Sequence, residues 1–112
     1  MHLGGLATIG ERGIRNFYHI IFDNEAHESV GGQKTVSYNI DFKRLSYSLG
    51  YKKYFKIHDY SLIEEVVKKL NKDEIGPIMI HIKVKCFSRE NLSRPSQTPI
   101  KHKIHFKNRL SE

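Results

Sequence analysis

The sequence has only one cysteine and no long apolar run, and each of these features excludes a class of protein. One thiol, Cys86, excludes an intramolecular disulfide framework and is typical of a reducing compartment. No apolar stretch approaches the roughly 18 to 20 residues that a membrane helix needs. The first residues also lack the basic-then-apolar pattern of a secretory signal. These observations predict a cytoplasmic protein.

Acidic residues are fewer than basic ones, so the net charge is positive. The chain has 19 Lys and Arg against 12 Asp and Glu. The excess is concentrated in residues 83–112, which hold eight basic and two acidic side chains. Such a segment is typical of contact with nucleic acid, an anionic ligand or an acidic partner chain, and equally of a solvated surface. Charge alone leaves these interpretations open.

Common nucleotide-binding and zinc-binding motifs are missing. Neither G-x-x-x-x-G-K-[ST] nor G-x-G-x-x-G occurs, and the histidines lack the paired His/Cys spacing of zinc sites. His19 and His81 lie in apolar runs, where structural roles are expected. Cys86 has no specific partner in the sequence, so we expect a buried or incidental thiol.

Helical and extended patterns alternate along the chain, which predicts the α/β fold class with a parallel sheet. The near-continuous apolar run 16–22 predicts a strand covered on both faces. Three strands are few for this class, which indicates an incomplete domain. Strands are predicted over 16–22, 51–57 and 77–84, and loops over 25–34 and 88–98. Helices are predicted over 4–13, from the cap Asp41 to Leu49, over 62–70 and over 99–110. Gly50 stops the second helix, and Ser61 caps the third.

The densest group of chemically versatile residues follows the first predicted strand, over residues 23–28 (DNEAHE). In open α/β sheets, ligands bind beyond the carboxyl ends of the strands. Amide, carboxylate and carbonyl oxygens are hard donors that suit Mg²⁺, and His27 has a side chain that can move protons near neutral pH. The same composition is also typical of a plain polar turn.

A second candidate group consists of Arg89 and Arg94, with Lys101 and Lys103 beyond them. Their charged donors favour a phosphate or a phosphonate. A solvated surface explains the same residues equally well.

Two blocks of the sequence resemble the pyrophosphate-binding domain of thiamine-diphosphate enzymes. They are residues 1–10 (MHLGGLATIG) and residues 22–33 (FDNEAHESVGGQ). Among those enzymes, the chain is similar to phosphonopyruvate decarboxylase and to the sulfopyruvate decarboxylase beta subunit. Residues 88–95 (SRENLSRP) also resemble the first of these. The likeness covers essentially the whole chain and implies part of a three-layer fold with a parallel sheet.

The resemblance implies a cofactor, a metal and a reaction. Family members bind thiamine diphosphate through Mg²⁺ and decarboxylate a 2-oxo acid, and the cofactor accepts the electrons. With 3-phosphonopyruvate the product is phosphonoacetaldehyde. Carried onto this chain, Asn24 would ligate Mg²⁺ by its side chain and Ala26 by its carbonyl. The residues expected at the cofactor are Leu3, Gly4, Asn24, Glu25, Ala26 and His27, and the expected catalytic residues are His27 and Glu28.

The chain departs from the family pattern in its metal motif. That motif includes Gly-Asp-Gly, whose aspartate ligates Mg²⁺, and no such tripeptide occurs here. The pyrimidine-binding domain, which carries the glutamate that activates the cofactor, is missing too. Loss of a carboxylate ligand severely weakens a Mg²⁺ site. We therefore expect residues 1–112 to be the C-terminal portion of the domain, inactive alone and dependent on a partner chain or a second copy.

A small basic nucleic-acid-binding protein is the alternative from another class. Aromatic side chains near lysines would stack on the bases and neutralise the phosphates of a single strand. Alternatively, the same run is an edge strand whose lysines discourage aggregation. The residues concerned are Tyr47, Tyr51, Tyr54 and Phe55, with Lys52, Lys53 and Lys56.

Overall fold

The computed structural model describes residues 3–70, 75–87, 91 and 95–111. Over these ranges, the helices and the three longer strands follow one another in the order that the sequence predicts. Short 3-10 turns cover Glu28–Val30 and Val36–Asn39. The helices are α1 (Gly4–Arg12), α2 (Phe42–Ser48), α3 (Ser61–Lys69) and α4 (Pro99–Leu110), and the strands are β1 (Tyr18–Asp23), β2 (Ala26–His27), β3 (Gln33–Lys34), β4 (Lys53–Ile57) and β5 (Ile78–Lys83).

Three of the strands form a parallel sheet in the order β1-β5-β4. The central strand β5 places Ile78 opposite Tyr18 of β1 and opposite Lys53 of β4. Because the strands run in one direction, their carboxyl ends meet at one edge, where ligands of such sheets bind. The predicted α/β fold class is confirmed.

Each face of the central strand packs against its own apolar cluster. Successive side chains of a strand point to opposite faces, so Met79 lies on one face while Ile78 and Ile80 lie on the other. Helices α1 and α2 supply the first cluster, and α3 supplies the second. The clusters are Leu6, Phe42, Tyr51 and Met79 on one face, and Ile57, Val66, Ile78 and Ile80 on the other.

The prediction that the first strand is covered on both faces is wrong. In the described part of the chain, β1 is an edge strand that pairs with β5. Ile20 and Phe22 are 50% and 69% exposed, on the face where α3 covers the other two strands. No residue of β1 belongs to the cluster that α3 helps to form. Among the described residues, the apolar run of β1 is therefore left uncovered on this face of the sheet.

The helix signals are correct for α2 and wrong in one detail for α3. Asp41 caps α2, since its carboxylate accepts the backbone N–H of Arg44 at 3.0 Å. Gly50 follows the helix in the left-handed region, at φ 96°, which favours glycine. Ser61 does not cap α3, since it is the first residue of that helix. Its backbone N–H donates to the Asp59 carboxylate at 2.9 Å.

The two predicted loops differ in outcome. Residues 25–34 contain an antiparallel pair of very short strands, with Ala26 opposite Lys34 and His27 opposite Gln33. The loop over 88–98 lies partly outside the described residues, and so do Arg89 and Arg94.

The helix over 99–110 is confirmed as α4, which has no buried residue. None of the described helices has the length and apolar character needed to cross a bilayer.

Helix α1 touches the end of α2 through bare backbone. A Cβ placed on Gly10 would lie 1.6 Å from the carbonyl oxygen of Leu49. Contacts under about 3 Å are not seen for real Cβ atoms. The position therefore requires glycine for space, and this contact sets how closely α1 approaches the sheet face that α2 also covers.

Candidate functional site

A sharp polar turn follows β1 at the carboxyl edge of the sheet. Glu25 has φ 57°, in the left-handed region, and this reverses the chain between Asn24 and Ala26. The side-chain oxygen of Asn24 accepts the Ala26 backbone N–H at 3.1 Å. The Asn24 amide nitrogen donates to Glu28 at 3.1 Å. The sequence-predicted residues Asn24, Glu25, Ala26 and Glu28 are therefore brought together, and we call residues 24–26 the cofactor turn, after the role that the resemblance implies for them.

Asp23 holds the cofactor turn from below. Its carboxylate is buried, and its Oδ1 accepts the backbone N–H of Glu25 at 3.0 Å and the hydroxyl of Ser37 at 2.9 Å. Its Oδ2 accepts hydrogen bonds from His81 Nε2 at 3.0 Å and Lys83 Nζ at 2.9 Å. Four donors thus surround one carboxylate, which suits a carboxylate with about four lone-pair sites.

The donors keep Asp23 ionised. Burial alone would raise the pKa of the Asp23 carboxyl, because it penalises the charged form. Hydrogen bonds from Lys83 and His81, reinforced by Ser37 and the Glu25 amide, outweigh that penalty and hold the pKa of Asp23 far below its usual range. An ionised carboxylate therefore lies directly beneath the turn.

Lys83 neutralises part of this acidic group. Its ammonium binds both Asp23 and Glu25. Burial alone would lower the pKa of Lys83, but the hydrogen bonds to Glu25 and Asp23 outweigh burial and raise the pKa above its usual value. The cation is thus committed to the two carboxylates and stays charged.

Two cavities open beside the turn. The larger, about 540 Å³, is lined by all three residues of the cofactor turn and by Lys34 and Cys86 among others. The smaller, about 190 Å³, is lined by Leu3, His27 and Lys34 among others. Leu3 and His27, both predicted from the sequence, are thus placed together. Gly4 begins α1 and lines neither cavity.

Sequence reasoning missed three of the residues that support the turn: Ser37, His81 and Lys83. A structural role was expected for His81, and its imidazole is indeed buried and hydrogen-bonded on both nitrogens. Nothing in the sequence pattern connects it with Asp23, which is 58 residues away.

His19 is hydrogen-bonded to the Tyr51 hydroxyl at 2.8 Å, as a structural residue would be. Cys86 is exposed, so a buried thiol is excluded.

The tyrosines proposed to stack on nucleic-acid bases do not share an exposed face. Tyr51 is 2% exposed, and its hydroxyl binds His19. Tyr54 is half-buried, and its hydroxyl binds His81. Stacking needs open ring faces. The structure therefore takes Tyr51 and Tyr54 out of the aromatic set on which the nucleic-acid interpretation depended.

Comparison with known proteins gives the family. Residues 1–82 match the family described as thiamine pyrophosphate enzyme, C-terminal TPP binding domain. The chain belongs to this family. It is 32% identical over 101 residues to the phosphonopyruvate decarboxylases of Streptomyces viridochromogenes and Streptomyces hygroscopicus. The match covers 88% of this chain and 25% and 24% of those proteins. The chain thus spans about a quarter of the length of these relatives.

The resemblance seen in the sequence is therefore confirmed at the level of the TPP-binding domain. The cofactor turn offers oxygen atoms of the kind that a hard metal ion prefers, namely the Asn24 amide oxygen and backbone carbonyls. Its negative charge is reduced, since the single positive charge of Lys83 faces the two carboxylates of Asp23 and Glu25. No three His, Cys, Asp or Glu side chains among the described residues form a group that would hold a metal ion. The oxygen donors of the turn are of the type that Mg²⁺ prefers, but the described residues do not by themselves form a complete metal site.

Proposed function

We propose that this chain is the cofactor-binding portion of a thiamine-diphosphate- and Mg²⁺-dependent decarboxylase of 2-oxo acids. The substrate we propose is 3-phosphonopyruvate, with phosphonoacetaldehyde as product; sulfopyruvate is the alternative. The observation that carries the proposal is the cofactor turn, held by an ionised Asp23 at the carboxyl edge of a parallel sheet. The two phosphonopyruvate decarboxylases that match the chain support the choice of substrate.

Residues of the turn would hold the metal and the cofactor. When bound, thiamine diphosphate supplies an electron sink for the loss of CO₂ from a 2-oxo acid. Asn24 would ligate Mg²⁺ through its side-chain oxygen, and Ala26 through its carbonyl. Leu3, Gly4 and Glu25 would lie against the cofactor. His27, which lines the smaller cavity, and Glu28, hydrogen-bonded to Asn24, would hold or move protons near the substrate.

The remaining parts of the active site would come from outside residues 1–112. We propose that these residues form the C-terminal portion of the domain, and that a partner chain supplies the pyrimidine-binding domain and the anionic metal ligand, which a second copy of residues 1–112 would lack. The relatives are about four times as long as the matched segment. The apolar face of β1 is also uncovered, with Ile20 and Phe22 exposed. Contiguous exposed apolar surface marks interaction sites.

Binding of metal and cofactor can be tested on the chain alone, even if it is weak. With thiamine diphosphate present, Mn²⁺ in place of Mg²⁺ should broaden the backbone NMR signals of the cofactor turn, because a paramagnetic ion relaxes nearby nuclei. Replacing Asn24 by Ala should weaken this effect at least tenfold in the titration, since it removes the one proposed side-chain ligand. Asn39→Ala, at an exposed position, is the matched control and should leave the titration unchanged. Broadening confined to residues outside the turn would contradict the proposal.

Lys34 should determine preference for a substrate with a second anionic group. It lines both cavities, and among the residues that the structure describes no carboxylate forms an ion pair with it, whereas Lys83 is neutralised. We expect Lys34→Gln to weaken binding of 3-phosphonopropionate, a stable dianionic analogue, about threefold to tenfold at low salt, as the loss of an exposed charge implies. NMR titration measures the affinity. Lys52→Gln is the control, and equal losses in the two variants would show that only net charge matters.

A further inference from the structure

A hydrogen-bonded chain of side chains crosses all three strands of the sheet and ends on the cofactor turn. The hydroxyl of Tyr54 on β4 lies 2.9 Å from Nδ1 of His81 on β5. His81 Nε2 lies 3.0 Å from Oδ2 of Asp23 on β1. The other oxygen of Asp23 accepts the Glu25 backbone N–H at 3.0 Å. Tyr54 thus reaches the turn through two buried groups.

The two ends of this chain define the form of the imidazole between them. The Asp23 carboxylate accepts hydrogen bonds from three other donors, so we assign the proton of the His81–Asp23 hydrogen bond to Nε2. Burial, together with the charges of Asp41 and Asp23, raises the pKa of Tyr54 to about 12, so its hydroxyl has a proton to donate to Nδ1. In this tautomer the imidazole accepts from Tyr54 and donates to Asp23, which satisfies both neighbours.

The surroundings of His81 allow it little rotation. The imidazole is 4% exposed, and the ring of Phe42 lies with its centroid 4.6 Å away. The second donor to Asp23 Oδ2 is Lys83, whose flexible side chain is shared with Glu25. Of these two donors, His81 is the one on a rigid ring. The direction of the Asp23 carboxylate therefore depends on the orientation of this imidazole.

We propose that Tyr54 and His81 are positioning residues for the cofactor turn. Tyr54 holds the His81 imidazole in its Nε2–H form, and His81 holds the Asp23 carboxylate where it binds the Glu25 amide. Both act through Asp23 and neither touches the turn. The link to the cofactor rests on the proposed function, whereas the effect on the turn does not.

The test replaces Tyr54 by Phe, which removes the hydroxyl and keeps the ring. Tyr47→Phe is the matched control at a tyrosine that is 47% exposed. In the Tyr54 variant, the ¹⁵N signals of His81 should lose the pattern of a bare Nδ1 beside a protonated Nε2. Amide hydrogen exchange at Glu25 should become about fivefold to tenfold faster, in line with the loss of one hydrogen bond. Affinity for thiamine diphosphate with Mg²⁺ should fall by a similar factor.

The outcomes separate positioning from a purely structural role. Thermal unfolding of the Tyr54 variant reports general destabilisation. A lower midpoint of thermal unfolding, with unchanged ¹⁵N signals of His81 and unchanged amide exchange at Glu25, would overturn the proposal. If the variant does not fold, the ¹⁵N spectrum of the unchanged chain still decides, since a charged His81 or an Nδ1–H form is incompatible with it. If the unchanged chain binds no cofactor while exchange at Glu25 responds as expected, the proposed function fails and the positioning role stands.

Discussion

Replacing Asp23 by Asn should destabilise the chain by about 2–4 kcal/mol at neutral pH. An amide of the same shape has one acceptor oxygen and adds two N–H donors among groups that already donate. The buried His81 and the partly buried Lys83 lose their anionic partner, and breaking a buried pair on one side costs several kcal/mol. Because Lys83 keeps Glu25 as an ion partner, we expect the lower part of that range. Urea unfolding followed by far-UV circular dichroism measures the change.

Asp41→Asn is the control for this substitution. Asp41 is an exposed cap of α2, and Asn caps helices about as well as Asp, so this variant should lose less than about 0.5 kcal/mol. Equal losses in the two variants would mean that the charge of Asp23 has no special role. The cofactor turn should also lose its order in the Asp23 variant alone.

The pH dependence of unfolding provides a second measurement on Asp23. Its folded pKa is lowered relative to the ordinary value of 3.8, so the ionised form stabilises the folded state. This contribution is complete above the unfolded pKa and is lost progressively as the pH falls below about 4. The difference in stability between the unchanged chain and Asp23→Asn should therefore be constant from pH 6 to 7 and smaller at pH 3. A difference that grows with acidity would contradict the assignment.

Gly10→Ala should be about as damaging, at roughly 3 kcal/mol or more. The added methyl group would meet the Leu49 carbonyl oxygen at 1.6 Å and its carbon at 2.7 Å. Both are backbone atoms, which cannot move aside as the end of a flexible side chain can, so α1 must shift away from α2. Overpacking of this kind costs about 1–3 kcal/mol and occasionally more. A thermal midpoint lower by more than about 10 °C is the expected result for a chain of this size.

Gly5→Ala is the matched substitution within the same helix. Nothing lies within 4 Å of a Cβ at Gly5, and alanine is a better helix former than glycine by up to about 1 kcal/mol. This variant should therefore be slightly more stable than the unchanged chain. If both alanine variants gain stability, α1 does not approach the Leu49 carbonyl in solution.

Local signals in the sequence were sufficient for the elements and for the turn. Apolar periodicity and the Asp41 cap are properties of neighbouring residues, so they predict helices and strands without knowledge of the whole fold. They fail where two local choices are nearly equal, as at Ser61, which begins α3 while the adjacent Asp59 accepts its amide. They also miss β2 and β3, which are two residues long and depend on pairing with each other.

Exposure could not be predicted in the same way. The apolar run of β1 is typical of a strand buried on both faces, yet Phe22 is 69% exposed. Whether a strand is central or at an edge depends on the order of strands in the sheet, and distant segments determine that order. The assignment of Cys86 as buried or incidental was undecided for the same reason.

Neighbouring residues in the sequence predict the α/β class, the order of the helices and the three longer strands, and the polar turn of Asn24 and Ala26, because each depends on residues close together in the chain. The contacts that hold that turn arise only from the tertiary structure. The strand order β1-β5-β4 brings His81 and Lys83 to Asp23 across 58 and 60 residues. The hydrogen bonds from these donors then outweigh the cost of burial, keep Asp23 ionised and orient its carboxylate. A carboxylate is ionised and oriented by its neighbours in space, and the fold chooses those neighbours.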